Sequence, residues 1–168
     1  MKLIEELDYQ INLEQLKKCT PGLRHSNPLF FKFYGLSIQH RKNVPAPWNL
    51  IDGLESLKIY EDCTEKDFNV VHKNFKNTEY ERIINDFNLV RSRVMLMSKK
   101  QCYSIHRDDT WRLHIPIETN PDCLFYFPDY KEHFHLELGK VYKVNTTERH
   151  TFLNAQKDDR KHFVGCLV

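Results

Sequence analysis

Paired cysteines are missing from this sequence. Cys19, Cys63, Cys102, Cys123 and Cys166 are odd in number and widely scattered. None forms a C-x-x-C pair, so neither a zinc knuckle nor a disulfide framework is indicated, and reduced thiols in a cytoplasmic protein are the expectation. An excess of one charge is also missing. Lys and Arg number 25 against 23 Asp and Glu, a formal +2, too little for the basic stripe of a nucleic-acid surface. Long apolar runs are absent as well. The opening "MKLIEELDYQINLEQL" alternates charge with apolar residues and lacks the h-region of a secretory signal. No later stretch approaches a membrane span, so neither a membrane nor a nucleic acid is expected as a partner. No repeat or low-complexity tract is visible.

What is present is an ordinary globular composition, 40% hydrophobic and 29% charged over 168 residues. That is enough chain to bury a core as one domain. Residues 1–90 read as a helical and irregular wrap, with proline and glycine concentrated in "PGLRHSNPLFFKFYG" and "RKNVPAPWNLIDG". Near its end, "NTEYERIINDFNLV" predicts a helix. Thr78 and Glu81 have capping-box spacing, and Tyr80, Ile83, Ile84 and Phe87 fall on one face.

From Arg91 the period shortens. "RSRVMLM", "CYSIH", "RLHIPIET", "CLFYF", "HFHLEL", "KVYKVN", "HTFLN" and "KHFVGCLV" are strand-like runs separated by polar breaks. Seven or eight short strands in residues 91–168 predict an antiparallel sandwich or barrel, making the chain α+β.

The chemistry gathers in "HRDDTWRLHIPIETN", residues 106–120. In a strand, His106 and Asp108 share a face while Arg107 and Asp109 point away. An imidazole and a carboxylate are two of the three ligands of a facial metal site, and His150, forty-two positions after Asp108, offers the third. Two histidines and one carboxylate form the set of non-haem Fe(II) oxygenases and leave three positions open. Arg160 follows His150 by ten residues, and its fork suits one end of a dicarboxylate co-substrate. Alternation also puts Arg112 and His114 on one face of "RLHIPI", with Leu113, Ile115 and Ile117 on the other.

The series H-R-D, R-L-H-I-P-I-E-T-N, R-H-x-x-x-N and R-x-H resembles the aspartyl/asparaginyl β-hydroxylase family over residues 91–168. That family belongs to the Fe(II)- and 2-oxoglutarate-dependent dioxygenases and has proline-hydroxylase-like members. The resemblance implies a double-stranded β-helix (jelly roll) with flanking N-terminal helices, and Fe(II), 2-oxoglutarate and O2 as cofactor and co-substrates. It implies His106, Asp108 and His150 as metal ligands, Arg160 on the distal carboxylate, and Arg112 with His114 near the keto-acid end.

Asp108 places the chain nearer the members with a full ligand triad. Met95 stands where another branch has a serine, which leaves Ser98, Tyr103 and Tyr142 as candidate hydroxyl partners. The expected reaction is hydroxylation of an amino-acid side chain, free or in a peptide, with succinate as co-product. The alternative is a cupin-like metal-binding or sensor domain without turnover. A small carboxylic substrate would need further cations, and Arg24, His25 and Arg41 in the wrap are the candidates. His25, His40 and His72 are expected at the surface, His133 and His135 at a rim, and Asn154 behind His150.

Overall fold

The computed structural model describes residues 2–20, 35–60 and 62–168. Its N-terminal elements are β1 (Ile4–Leu7), α1 (Leu13–Cys19), β2 (Gly35–Ser37), β3 (Gln39–His40), β4 (Val70–Val71) and α2 (Glu79–Asp86). Eight strands follow: β5 (Val90–Met97), β6 (Gln101–Cys102), β7 (Trp111–Glu118), β8 (Cys123–Phe127), β9 (Glu132–His135), β10 (Val141–Val144), β11 (Thr151–Asn154) and β12 (Arg160–Leu167).

A six-stranded sheet runs β1-β10-β7-β12-β5-β2, and a four-stranded sheet runs β6-β11-β8-β9. Every pairing in both is antiparallel. Along the chain, β5 lies in the large sheet, β6 in the small, β7 in the large, β8 and β9 in the small. β10 then returns to the large sheet, β11 to the small and β12 to the large. This alternation winds the chain into a double-stranded β-helix. The strand pattern's sandwich or barrel is thus the jelly roll that the resemblance implies.

The large sheet is buried on both faces, and alternation decides what each face meets. Leu113, Ile115 and Ile117 of β7 and Phe163 of β12 join Leu16 of α1 and Ile83 and Ile84 of α2 in one core. Burying each such side chain contributes about 1.5–3 kcal/mol. The opposite residues point into the barrel, where Met97, Phe125, Phe127, Tyr142, Val144 and Phe152 form a second core. β12 reaches α2's side of the sheet closely at Gly165, where a Cβ would meet Leu89 Cδ1 at 2.7 Å.

The N-terminal half departs from expectation in three ways. It adds both edges of the large sheet, β1 beside β10 and β2 beside β5, rather than only wrapping it. His40 and His72 are buried, not superficial, and their rings meet edge to face at 5.9 Å. The helix start also differs. Thr78 Oγ1 donates to the Phe75 carbonyl at 2.6 Å, and Glu81 accepts from the Asn77 N–H at 2.6 Å, one residue earlier than a capping box requires. Arg24 and His25 lie outside the described residues.

Candidate metal centre and its cavity

His106 is not part of a strand. It makes an isolated antiparallel bridge with His150, through His106 N–H to the His150 carbonyl at 3.0 Å and the reverse bond at 2.9 Å. The chain then leaves the sheet, and the Asp108 N–H is held by the Thr146 carbonyl at 2.8 Å. The expectation of a continuous strand through Asp108 is therefore corrected. The bridge and this one backbone bond, rather than strand alternation, bring the carboxylate to the imidazoles.

One ligand atom from each of His106, Asp108 and His150 lies within 4.8 Å of the others. The His106 Nδ1 sits 2.8 Å from the Ser104 carbonyl, and the His150 Nδ1 sits 2.9 Å from the Glu148 carbonyl. A carbonyl only accepts, so each Nδ1 carries the proton and each Nε2 keeps its lone pair. Burial pushes the His150 pKa below its ordinary value, outweighing the bond to Glu148 and the charge of Asp108. A neutral imidazole is the form a metal takes. The His150 Nε2 stands 3.9 Å from Asp108 Oδ2. This donor set fits a first-row divalent ion.

The three residues sit at the mouth of a cavity of about 170 Å³ between the sheets. Tyr103, Met95, Arg112, His114 and Phe152 line it, with Arg160 and Arg93. Arg160 is 2% exposed, its guanidinium 3.4 Å above the Phe152 ring, and it donates to His162 Nδ1. Among the described residues no carboxylate pairs with it, and its Nε has no partner. Burial lowers its pKa to about 9, opposed only by Tyr103 and Cys123. It is still a cation at neutral pH, and leaving such a charge buried and unpaired is strongly unfavourable. The site fits an anion there.

Arg112 is in the lining, yet its guanidinium is committed. NH2 reaches Glu65 Oε1 at 2.6 Å, NH1 reaches Oε2 at 3.1 Å, and NH2 lies 3.4 Å from Asp108 Oδ1. The fork therefore grips Glu65 and steadies a proposed ligand carboxylate. His114 does line the cavity, with Nδ1 unpartnered. Burial holds it neutral well below its ordinary pKa, reinforced by Arg160, His150, Arg112 and Arg93.

Glu65 and Arg93 are absent from the sequence expectations. For Glu65 no local signal exists, since its partner Arg112 is 47 residues on. Arg93 had one: it shares a parity with Met95 in "RSRVMLM", and both line the cavity. Of the hydroxyl candidates, Tyr103 lines the cavity, whereas Tyr142 Oη accepts from the Glu137 N–H at 3.2 Å and Ser98 lies outside the lining. Asn154 does not back His150. Its side chain donates to the Asp158 carbonyl at 2.8 Å and to Ser98 at 3.3 Å, fixing the exit from β11. His133 is exposed, as a rim residue should be, and His135 is half-buried.

No family model matches the chain, and no curated protein matches it in sequence. Solved structures do. A cupin domain from Bordetella pertussis Tohama I is 15% identical over 46% of this chain and 80% of its own, with a TM-score of 0.42. An oxidoreductase of the 2OG-Fe(II) oxygenase family from Burkholderia pseudomallei is 17% identical over 46% of this chain and 41% of its own, at 0.41. A viral collagen prolyl hydroxylase from Paramecium bursaria Chlorella virus-1, in complex with 2OG, is 13% identical over 98% of this chain and 94% of its own, at 0.49. The fold assignment rests on the strand order.

Proposed function

We propose that the protein is an Fe(II)- and 2-oxoglutarate-dependent dioxygenase that hydroxylates a C–H bond of an amino-acid side chain. One observation carries the reading: a His-Asp-His group shares a cavity with a buried arginine that has no carboxylate partner. His106, Asp108 and His150 would hold the iron by one face, leaving three positions for other ligands. Arg160 would hold the distal carboxylate of 2-oxoglutarate. When bound, iron and 2-oxoglutarate supply the oxidant: one atom of O2 enters the substrate as hydroxyl, the other enters succinate, and CO2 leaves.

The chain's own residues supply positioning. The Ser104 and Glu148 carbonyls fix the tautomer and ring orientation of the two histidines, and Arg112 fixes Asp108. Phe125 and Phe152 wall the interior against water. His114, neutral and with a free Nδ1, offers the co-substrate a hydrogen bond. The site's location is taken as cytoplasmic, and no described helix is long and apolar enough to cross a membrane.

The testing experiment measures succinate release with Fe(II), 2-oxoglutarate and candidate amino acids or peptides. Asp108→Asn is expected to lose about 100-fold or more, because even partners behind a ligand cost 10–100-fold. Asp109→Asn, an exposed neighbour outside the ligand group, should stay within about twofold. Equal losses refute the ligand assignment. Metal binding without succinate from any candidate favours the cupin-like binding protein instead.

Arg160→Lys keeps the charge and loses the planar fork. Charge-assisted bonds contribute about 1.5–3 kcal/mol, so the KM for 2-oxoglutarate should rise about tenfold or more while iron content holds. An unchanged KM moves the distal carboxylate elsewhere.

A further inference from the structure

Two guanidiniums line this cavity without a carboxylate bonded to either among the described residues, and the dioxygenase reading uses only one. The second is Arg93. Its NH1 donates to the Gly53 carbonyl at 3.2 Å, and its Nε is buried without a partner. Burial lowers its pKa to about 10, and the charges of Arg91 and Arg112 act in the same direction against Cys166 and Asp108. Arg93 is therefore an under-satisfied cation near the metal-proximal carboxylate, and Arg112, which is tied to Glu65, is not an alternative.

The sheet register separates the two arginines. Arg160 pairs with Met97, whereas Arg93 pairs with Val164, four residues further along both strands. At about 3.3 Å per residue that is roughly 13 Å of strand. A five-carbon diacid spans four C–C bonds of about 1.5 Å, at most roughly 6 Å. Co-substrate anchored at Arg160 and reaching toward the histidines leaves Arg93 for a different anion at the mouth. The cavity is also small. Its 170 Å³ falls below the roughly 300–1,000 Å³ of pockets for drug-sized ligands, and part of that volume belongs to the co-substrate.

We propose that Arg93 anchors a carboxylate of the substrate, so that the substrate is a small free carboxylic acid of the amino-acid class rather than an internal residue of a polypeptide. This rests on the dioxygenase reading above. It also moves substrate recognition from the N-terminal wrap to the inner face of β5.

The test uses the proteinogenic L-amino acids and their primary amides as paired probes in the succinate assay, alongside separate measurements of Fe(II) and 2-oxoglutarate binding. At least one acid should drive succinate release, and its amide should be at least tenfold poorer. Arg93→Gln should lower kcat/KM for that acid at least thirtyfold, with KM for 2-oxoglutarate and iron content within threefold of wild type. Arg93→Lys should recover part of the loss. A collapse of 2-oxoglutarate binding in Arg93→Gln overturns the proposal by making Arg93 a co-substrate ligand. So does an amide that works as well as its acid. A wild type that binds Fe(II) and 2-oxoglutarate yet turns over none of the acids overturns it too and leaves the dioxygenase reading standing. A wild type that binds neither overturns both.

Discussion

His150→Ala should purify as a folded protein without iron. The main-chain bridge between His106 and His150 uses N–H and carbonyl groups that alanine keeps, so the strand entry should survive. What goes is one of three donor atoms. Removing a group that merely orients a ligand weakens metal binding 10–100-fold, so removing the ligand should weaken it by more than about 100-fold. Turnover should fall below detection. His106→Ala should behave alike, and more cleanly, because that side chain is exposed and supports no core. Iron content by elemental analysis, with thermal unfolding as the folding control, checks both variants. Wild-type iron in both would remove these histidines from the site.

The parts of this molecule written in short-range pattern were legible. Seven of the eight C-terminal strands fall on apolar runs between polar breaks, which predict an antiparallel sandwich or barrel, whereas "CYSIH" gives β6 only Cys102. His106 and Asp108 are two positions apart, so their convergence needed only local geometry, although a bridge and one backbone hydrogen bond supply it rather than a strand. His150 and Arg160 were picked out by spacing, and both line the same cavity.

The rest depends on pairings between distant segments. His40 and His72 look like surface residues until β3 pairs with β4 and puts their rings together. β1 and β2 are too short to stand out, four and three residues respectively, and exist because the large sheet offers them edges. Arg112 carried a further ambiguity. Its type and face suit a carboxylate in the cavity, but a carboxylate from the protein's own N-terminal half reaches it first. Sequence pattern shows that a cation faces inward. Only the fold shows whether that cation is already satisfied.

That internal carboxylate sets the last expected result. Glu65 is 5% exposed and accepts from both Arg112 nitrogens, from Arg91 NH1 at 3.3 Å and from Thr110 Oγ1 at 2.6 Å. Burial alone would raise its pKa. The Arg112 charge and the bonds from Thr110 and Arg112 outweigh that, and the carboxyl is held below its ordinary value. Glu65→Ala strands two buried guanidiniums at once. Removing one partner of a buried ion pair costs about 3–5 kcal/mol. At about 2–4 °C per kcal/mol for a chain of this size, Tm should drop by roughly 6–20 °C. The effect should reach the metal centre. Freed from Glu65, Arg112 retains Asp108, already 3.4 Å away, as its nearest carboxylate and competes with the metal for it. Iron affinity should then fall about 10–100-fold, the range for losing a group behind a ligand. Glu65→Gln, which keeps volume and some hydrogen bonding, should show a smaller version of both losses. A Tm change under about 2 °C in Glu65→Ala, with iron affinity intact, would mean the N-terminal half does not brace the site through this contact.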